Sequence, residues 1–376
     1  MLTLILYTLF ITICVCGWFS VRSYKIVENQ RNITLSAVIC CKNEEKNLPF
    51  LLHSLKNQLS DIEQIIFAND NSTDETLKIL QEFSEIFPNI NIFSTGGFGK
   101  KNALKEAMQF VESEYVITFD ADCVVPQNYF LPVKNFLAQN QPDLMIGGVK
   151  MHTIRHCGLD PQSCDTRDTC FSGCKNEVWV QIQALEFASL IASGAGAALA
   201  KMPVMCNGAN LAFRKEVWQD AENDLVTKEV SGDDVFLLHY VKKNGGKILF
   251  FKAKNAFVKT FAVKKIGEFL IQRQRWASKS KSYSDKQTIF VALLVFMINF
   301  LIIFSAIGAF FSVNLLQLFL FAFFFKMLLD SILSVPFLIF TNQKNLIKFI
   351  PILSIIYPFY IVFTAIFGFF GKIKWK

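Results

Sequence analysis

Residues 115–123 read YVITFDADC. A run of β-prone residues, Tyr115–Phe119, ends in two carboxylates one residue apart, Asp120 and Asp122. A buried strand gains nothing from such an ending, so the pair reads as the business end of a strand. Upstream the same pattern recurs. LSAVICC (35–41) is a short apolar run, and EEKNLPFLLHSLKNQL (44–59) comes next with Leu48, Leu51, Leu52 and Leu55 at helical spacing. QIIFAND (64–70) precedes STDETLKILQEF (72–83), whose Ser-Thr-Asp suits a helix start. NINIFS (89–94) precedes KKNALKEAMQFVE (100–112). Strand and helix alternate at short intervals, which predicts an α/β domain with a parallel sheet covered by helices. Ligands of such sheets sit beyond the carboxyl ends of the strands, where CKNEE, NDNSTD and DADC fall.

Two carboxylates at a strand end suit a hard divalent cation, Mg²⁺ or Mn²⁺, held together with substrate phosphates. A solvated turn is the plain alternative for a D-x-D triplet, and a glycosidase pair needs a defined gap across a sugar. GGFGKKNAL (96–104) is not a phosphate loop of the G-x-x-x-x-G-K-[ST] type, because position 94 is Ser. Lys100 and Lys101 at a helix start suit a phosphate as well as they suit solvent.

Composition divides the chain of 376 residues. Hydrophobic residues make up 52%, with 40 Phe, and the mean hydropathy is +0.35. The apolar residues concentrate beyond about residue 288, where three spans are expected near 289–311, 315–340 and 347–370. Residues 1–21 read as an uncleaved N-terminal transmembrane anchor, since no basic start or small-residue cleavage site is present. Arg22 and Lys25 then favour a cytoplasmic side for the domain after the anchor, at the inner (cytoplasmic) membrane. An anchor and three spans would carry the tail GKIKWK outside, against the preference of its lysines. Lys326 and Asp330 lie four residues apart in the second span, as a structural ion pair or as a contact to a lipid.

The net charge of +7 is partly local: residues 264–283 hold six Lys/Arg against one Glu. Ile266, Phe269, Leu270 and Trp276 fall near one helix face, giving a basic amphipathic segment suited to an anionic membrane surface, and nucleic acid is not an expected partner. Of ten Cys, Cys157, Cys164, Cys170 and Cys174 cluster near His152 and His156, but their spacings are irregular and no C-x-x-C occurs, so a zinc site is not expected.

Taken in order, the motifs resemble those of the membrane-bound family 2 glycosyltransferases, of GT-A fold, over about Ser36 to Trp276. SAVICCKNEEKNL is similar to the first-strand motif, ANDNSTDET to DDxSxDxT, GKKNAL to GKxxAL, and DADC to the D-x-D. NGANLAFRK (207–215) is similar to the acceptor-side motif, GDD (232–234) to the ED pair, and QRQRW (272–276) to Q-x-x-R-W. Asn69, Asp233 and Gly232 depart from the usual residues. Residues 152–177 match nothing in the pattern and read as a loop insertion.

The resemblance implies a GT-A nucleotide-diphospho-sugar transferase domain over 30–262, a basic interface helix over 263–284 carrying QRQRW, and a transmembrane region over 288–371. It implies transfer with inversion from a UDP-sugar to a lipid-linked or polysaccharide acceptor. Asp70 would contact uracil, and Lys100 would bind nucleotide. Asp120 and Asp122 would bind the nucleotide through Mg²⁺ or Mn²⁺, Asp122 the more direct ligand. Asp234 would be the general base, and Gln272, Arg275 and Trp276 would hold the diphosphate and shape the acceptor site. A transferase fold without activity, serving a polysaccharide export complex, is the rival expectation.

Overall fold

The computed structural model describes residues 1–25, 31–152, 178–222, 233–263 and 265–370. Two compact units emerge: a helical unit of Met1–Val21, Asn176–Val204 and Ala262–Lys376, and a sheet unit of Arg22–Lys175 and Met205–Phe261.

In the sheet unit, β1 (Leu35–Cys41), β2 (Gln64–Asn69), β3 (Ile90–Ser94) and β4 (Tyr115–Asp120) occupy the runs expected from the sequence. With β5 (Leu144–Gly147), β7 (Leu211–Arg214) and β8 (Ile248–Phe251) they form a seven-stranded sheet in the order β3-β2-β1-β4-β7-β5-β8. A small parallel pair joins β6 (Val149–His152) to β9 (Val258–Phe261). Strands β1 to β4 are parallel; β1, β2 and β4 are almost wholly buried, as helices on both faces require, while β3 at the sheet edge is only partly so. Register aligns their ends: Cys40 lies opposite Asp120, and Cys41 opposite Asn69. The three polar clusters therefore share one edge.

Strand β7 runs against its neighbours and pairs with both β4 and β5. Its reversal has a consequence for the site. Leu211, the first residue of β7, sits opposite Thr118 near the end of β4, so NGAN (207–210) arrives at the same edge as the D-x-D.

The helices between the early strands are α2 (Leu48–Leu55), α3 (Thr76–Ser84) and α4 (Lys100–Met108). Helix α2 begins at Leu48, with Pro49 in its first turn where a missing N–H costs nothing. Helix α3 begins at Thr76, later than the Ser-Thr-Asp signal, because Asp74 accepts from the backbone N–H groups of Thr76 (3.0 Å) and Glu45 (3.1 Å). Helix α4 starts after Gly99, whose φ of +96° is open to glycine alone at little strain. Helices α5 (Phe130–Asn140), α7 (Lys215–Ala221) and α8 (Asp233–Lys243) complete the unit. Tyr129, Phe130 and Phe119 pack edge to face beneath the sheet.

The helical unit contains α1 (Leu2–Ser20), α6 (Val178–Leu199), α9 (Ile266–Ser278), α10 (Lys286–Gly308), α11 (Val313–Phe340) and α12 (Ile350–Phe370). Among the described residues five helical segments are long and apolar enough to cross a membrane: Leu2–Ser20, Val178–Leu199, Lys286–Gly308, Val313–Phe340 and Lys344–Gly368. Four are the spans expected from the sequence. The fifth, α6, lies within the stretch read as the catalytic domain, yet it packs with the apolar helices. It is the most enclosed of the five, 78% buried against 22–39% for the others.

Helix α6 is a buried core helix. It meets α1 through glycines: a Cβ on Gly196 would lie 2.5 Å from the carbonyl oxygen of Cys14. Of the two readings of Lys326 and Asp330, the geometry favours the structural ion pair. Lys326 Nζ donates to Asp330 at 2.6 Å, Tyr7 donates to the same carboxylate at 2.5 Å, and the ammonium sits 4.8 Å from the Tyr357 ring centre. The insertion 153–177, with Cys157, Cys164, Cys170, Cys174 and His156, lies outside the described residues, as do Gly232 and the tail 371–376.

Candidate active site

The edge formed by β1, β2 and β4 gathers three of the expected residues, Asp70, Lys100 and Asp120, together with Asp233, around one thiol. Cys40, the penultimate residue of β1, is pushed up to about 12 by burial, with Lys100 opposing and Asp120, Asp233 and Asp70 adding to the shift. This thiol is therefore no nucleophile at neutral pH, but it marks the centre of the cluster.

The two carboxylates of the D-x-D are not equivalent. Asp120, the last residue of β4, accepts a short ion pair from Lys100 Nζ. Asp122 has no ion-pair partner among the described residues. Burial, then Asp120 and Glu44, push its carboxyl up to about 7. One carboxylate is ion-paired to Lys100; the other forms no ion pair among the described residues and feels Lys100 only as a weaker influence than burial and Asp120. Glu44, in the turn after β1, faces the same site and is itself raised, first by burial and also by Asp120 and Asp74.

Those donors fit a divalent cation of the hard, oxygen-seeking kind. All are carboxylate oxygens, and Asp122 forms no ion pair among the described residues, with Lys100 only partly opposing the rise of its carboxyl. Among the described residues no group of three or more His, Cys, Asp or Glu side chains closes around a single point. The arrangement matches a cation that keeps several ligands from substrate rather than an all-protein cage.

Asp70, just past β2, is 3% exposed and already committed. Both its oxygens accept from the Gly99 N–H, at 3.0 and 3.1 Å, and Lys42 Nζ lies 3.3 Å away. It thus ties the glycine turn before α4 to the end of β2 and carries Lys100 toward Asp120. Asn69, in place of the usual Asp, bonds within the turn: it accepts from Ser72 N–H and donates to Ser94, both at 3.3 Å.

Asp234 enters from the other side. It lies in the first turn of α8, where the helix dipole favours a negative charge. Its Oδ1 accepts from Val235 N–H at 2.9 Å and its Oδ2 from Gly208 N–H at 3.0 Å. Gly208 is fixed in turn: its carbonyl accepts from Thr118 at 2.7 Å, and Asn207 caps the short 3-10 turn through Ala209 N–H at 3.0 Å. Asn210, fully buried, accepts from Tyr129 at 2.5 Å and donates to the Gly148 carbonyl at 2.9 Å. Asp233 beside Asp234 is buried.

Gln272, Arg275 and Trp276 belong to the helical unit, on α9. On α9 Phe269 is buried, while Ile266 is 61% exposed and Ile271 58% exposed. The buried residues of α9 are Phe269 and Arg273. Sequence reasoning assigned no role to Lys42, Glu44, Gly208 or Arg273. All four stood in quoted motifs, Lys42 and Glu44 in CKNEE, Gly208 in NGANLAFRK and Arg273 in QRQRW, at positions given no role.

Comparison with known proteins bears on the family of the chain. A model of glycosyl transferase family 2 matches residues 36–155, and a model of glycosyl transferase family group 2 matches residues 115–370. The poly-beta-1,6-N-acetyl-D-glucosamine synthase of Staphylococcus epidermidis is 23% identical over 209 residues, 54% of this chain and 46% of that one. The poly(ribitol-phosphate) beta-glucosyltransferase of Bacillus spizizenii is 30% identical over 122 residues, 31% of this chain and 19% of that one. The chain spans less than half the length of either relative. Among solved structures, the mannosyltransferase PcManGT of Pyrobaculum calidifontis, with GDP-Man and Mn²⁺, superposes with a TM-score of 0.47 at 14% identity, over 94% of both chains. S. aureus TarS 1-349 with UDP-GlcNAc gives 0.44 at 15% identity, over 90% of this chain and 93% of that one.

Proposed function

The chain belongs to the family 2 glycosyltransferases, and on that footing we propose that it transfers a sugar, with inversion, from a UDP-sugar to a lipid-linked or polysaccharide acceptor. The observation that carries this reading is the unequal D-x-D. Asp120 is ion-paired to Lys100 while Asp122, raised by burial and Asp120, has no ion-pair partner among the described residues, at the strand edge where a nucleotide diphosphate belongs.

Asp122, with Asp120 beside it, would hold Mg²⁺ or Mn²⁺. The bound cation would offset charge on the diphosphate. Lys100 supplies a fixed positive charge at the same edge, and Asp70 holds the turn that delivers it and contacts the uracil. The acceptor hydroxyl attacks the anomeric carbon, its proton passes to Asp234, and the nucleoside diphosphate leaves. The Gly208 and Val235 N–H groups fix the Asp234 carboxylate for that proton, so no side-chain rotation is needed when the hydroxyl arrives. Gln272, Arg275 and Trp276 bind the diphosphate and bound the acceptor site. With Asp234 as the base and Asp120 and Asp122 assigned to the cation, direct attack by the acceptor hydroxyl supports inversion. The apolar helices and the basic segment 264–283 support work at the cytoplasmic face of the inner membrane.

The test is a screen of UDP- and GDP-sugars with detergent-solubilised protein, with and without Mn²⁺ or Mg²⁺, reading nucleotide release and product mass. Release from one donor, dependent on metal, supports the reading. No release from any donor, with nucleotide still bound, would mark a transferase fold without activity.

A further inference from the structure

Helix α9 is held by little apolar burial, since Ile266 and Ile271 face outward and Phe269 is its one buried apolar side chain. Its second buried residue is Arg273, 5% exposed, in the interior of the helical unit. Every part of that guanidinium is engaged. Nη2 and Nε donate to the two oxygens of Glu186 on α6, at 2.5 and 3.3 Å. Tyr360 on α12 donates to the same carboxylate at 2.6 Å. Nη1 donates to Gln272 Oε1 at 2.6 Å. The flat faces lie 4.1 Å from the Trp276 ring centre and 4.5 Å from that of Phe269.

Neutralising Glu186 needs only the first of these contacts. The others go to Gln272 and Trp276, the two residues that bracket Arg275 in the motif. Positions 269, 272, 273 and 276 share one helix face, so a planar side chain at 273 touches all three of its neighbours at once. Lysine offers no fork and no flat face, and could hold Glu186 without holding the motif.

We propose that Arg273 and Glu186 are positioning residues: the pair sets Gln272 as a hydrogen-bond donor and fixes the Trp276 ring, so that α9 presents a diphosphate- and acceptor-binding face already formed. With Gln272 Oε1 bound to Arg273, the amide retains only N–H donors for a ligand, which suits the oxygens of a nucleoside diphosphate. Tyr360 brings a transmembrane helix into the same network, so packing among the membrane helices reaches the motif through Glu186. This proposal rests on the glycosyl-transfer reading given above for the roles of Gln272 and Trp276.

The experiment compares wild type with Arg273→Lys, Glu186→Gln, Glu186→Asp and Tyr360→Phe in detergent. Glu186→Gln leaves a buried guanidinium without its partner and is the variant most prone to misfold; Tyr360→Phe and Arg273→Lys keep the charges balanced. Two readouts are taken on variants whose melting temperature matches wild type. The first is Trp276 emission and its quenching by acrylamide, isolated by subtracting the Trp276→Phe background. The second is kcat and KM for the active UDP-sugar, with UDP affinity measured separately.

Expected are a more accessible Trp276 in Arg273→Lys, a ten- to hundredfold lower kcat/KM and weaker UDP binding, with a smaller change of the same kind in Tyr360→Phe. Wild-type Trp276 emission and quenching in Arg273→Lys would overturn the proposal, even if no donor were turned over and the glycosyl-transfer reading had failed. An altered Trp276 with unchanged kcat, KM and UDP affinity would overturn it as well, leaving the pair as a helix clamp.

Discussion

The backbone N–H of Gly208 donates to Oδ2 of Asp234 at 3.0 Å, linking a turn before β7 to the first turn of α8. Two segments distant in sequence thus fix one carboxylate. Asp234→Asn keeps the size of the side chain but cannot take a proton from an acceptor hydroxyl. Transfer is expected to fall by roughly a hundred- to ten-thousandfold, the usual range for a lost general base. UDP affinity should change little, because the D-x-D is untouched. Asp233→Asn is the internal comparison and should reduce turnover less. A dead Asp233→Asn beside an active Asp234→Asn would show that the base is one residue earlier.

The inequality within the D-x-D gives a second prediction. Burial and Asp120 raise the Asp122 carboxyl, so Asp122→Asn should raise the melting temperature in EDTA while metal-dependent turnover falls to background. Asp120→Asn should do the opposite to stability, because it strips Lys100 of its partner. Differential scanning fluorimetry with and without Mn²⁺ separates the cases: wild type gains stability on adding metal, and Asp122→Asn does not. Metal-induced stabilisation of Asp122→Asn equal to wild type would remove Asp122 from the metal site.

Much of this site is legible in the sequence because parallel strands carry local signals. Each of LSAVICC, QIIFAND, NINIFS and YVITF is apolar to its end and then abruptly polar, and in-register pairing converts that pattern into one shared edge. Strand β7 defeats the same reasoning. LAFR is short and apolar in either direction, and only its pairing with β4 and β5 shows that it runs backwards and delivers NGAN to the site. Helix α6 defeats composition too. Val178–Leu199 is apolar enough to cross a membrane, yet Gln181, Gln183 and Glu186 are buried within its own unit, paired with groups remote in sequence. Long-range pairing of that kind leaves no periodic trace.

The α1–α6 contact is a third test. Gly196 approaches the backbone of Cys14, not a movable side chain, so a new Cβ cannot be accommodated by rotation. Gly196→Val should destabilise the helical unit by more than the ~1–3 kcal/mol of ordinary overpacking, seen as a lower melting temperature and loss of monodisperse protein in detergent. Gly267→Ala is the control: a Cβ there meets nothing within 4 Å, and stability should stay within about 1 kcal/mol of wild type. Equal behaviour of the two variants would mean that the helices do not cross this closely.

Adjacent turns at the site edge supply a prediction of opposite signs. Burial, with Asp120 and Asp74 nearby, holds the Glu44 carboxyl above its ordinary value, although Asn47 donates to it at 2.7 Å. A carboxylate raised on folding burdens the folded state wherever it is ionised in both states, and the burden disappears once both states are protonated. Glu44→Gln should therefore be more stable than wild type near pH 7.5 in EDTA. The difference should shrink as pH falls through the raised folded value and vanish below the ordinary glutamate pKa of about 4.3. Asp74 behaves in reverse. Burial is the largest single influence and opposes its ionisation, but the hydrogen bonds from Thr76 and Glu45 together outweigh it and hold the carboxyl below the usual aspartate range. Its contribution is full above the unfolded pKa of about 3.9 and is lost as pH falls through the lower folded value. Asp74→Asn should accordingly be less stable than wild type at neutral pH and converge with it in acid. Denaturant melts of both variants from pH 3 to 8 test the pair, and two curves of the same sign would show that Glu44 does not share the field of the D-x-D.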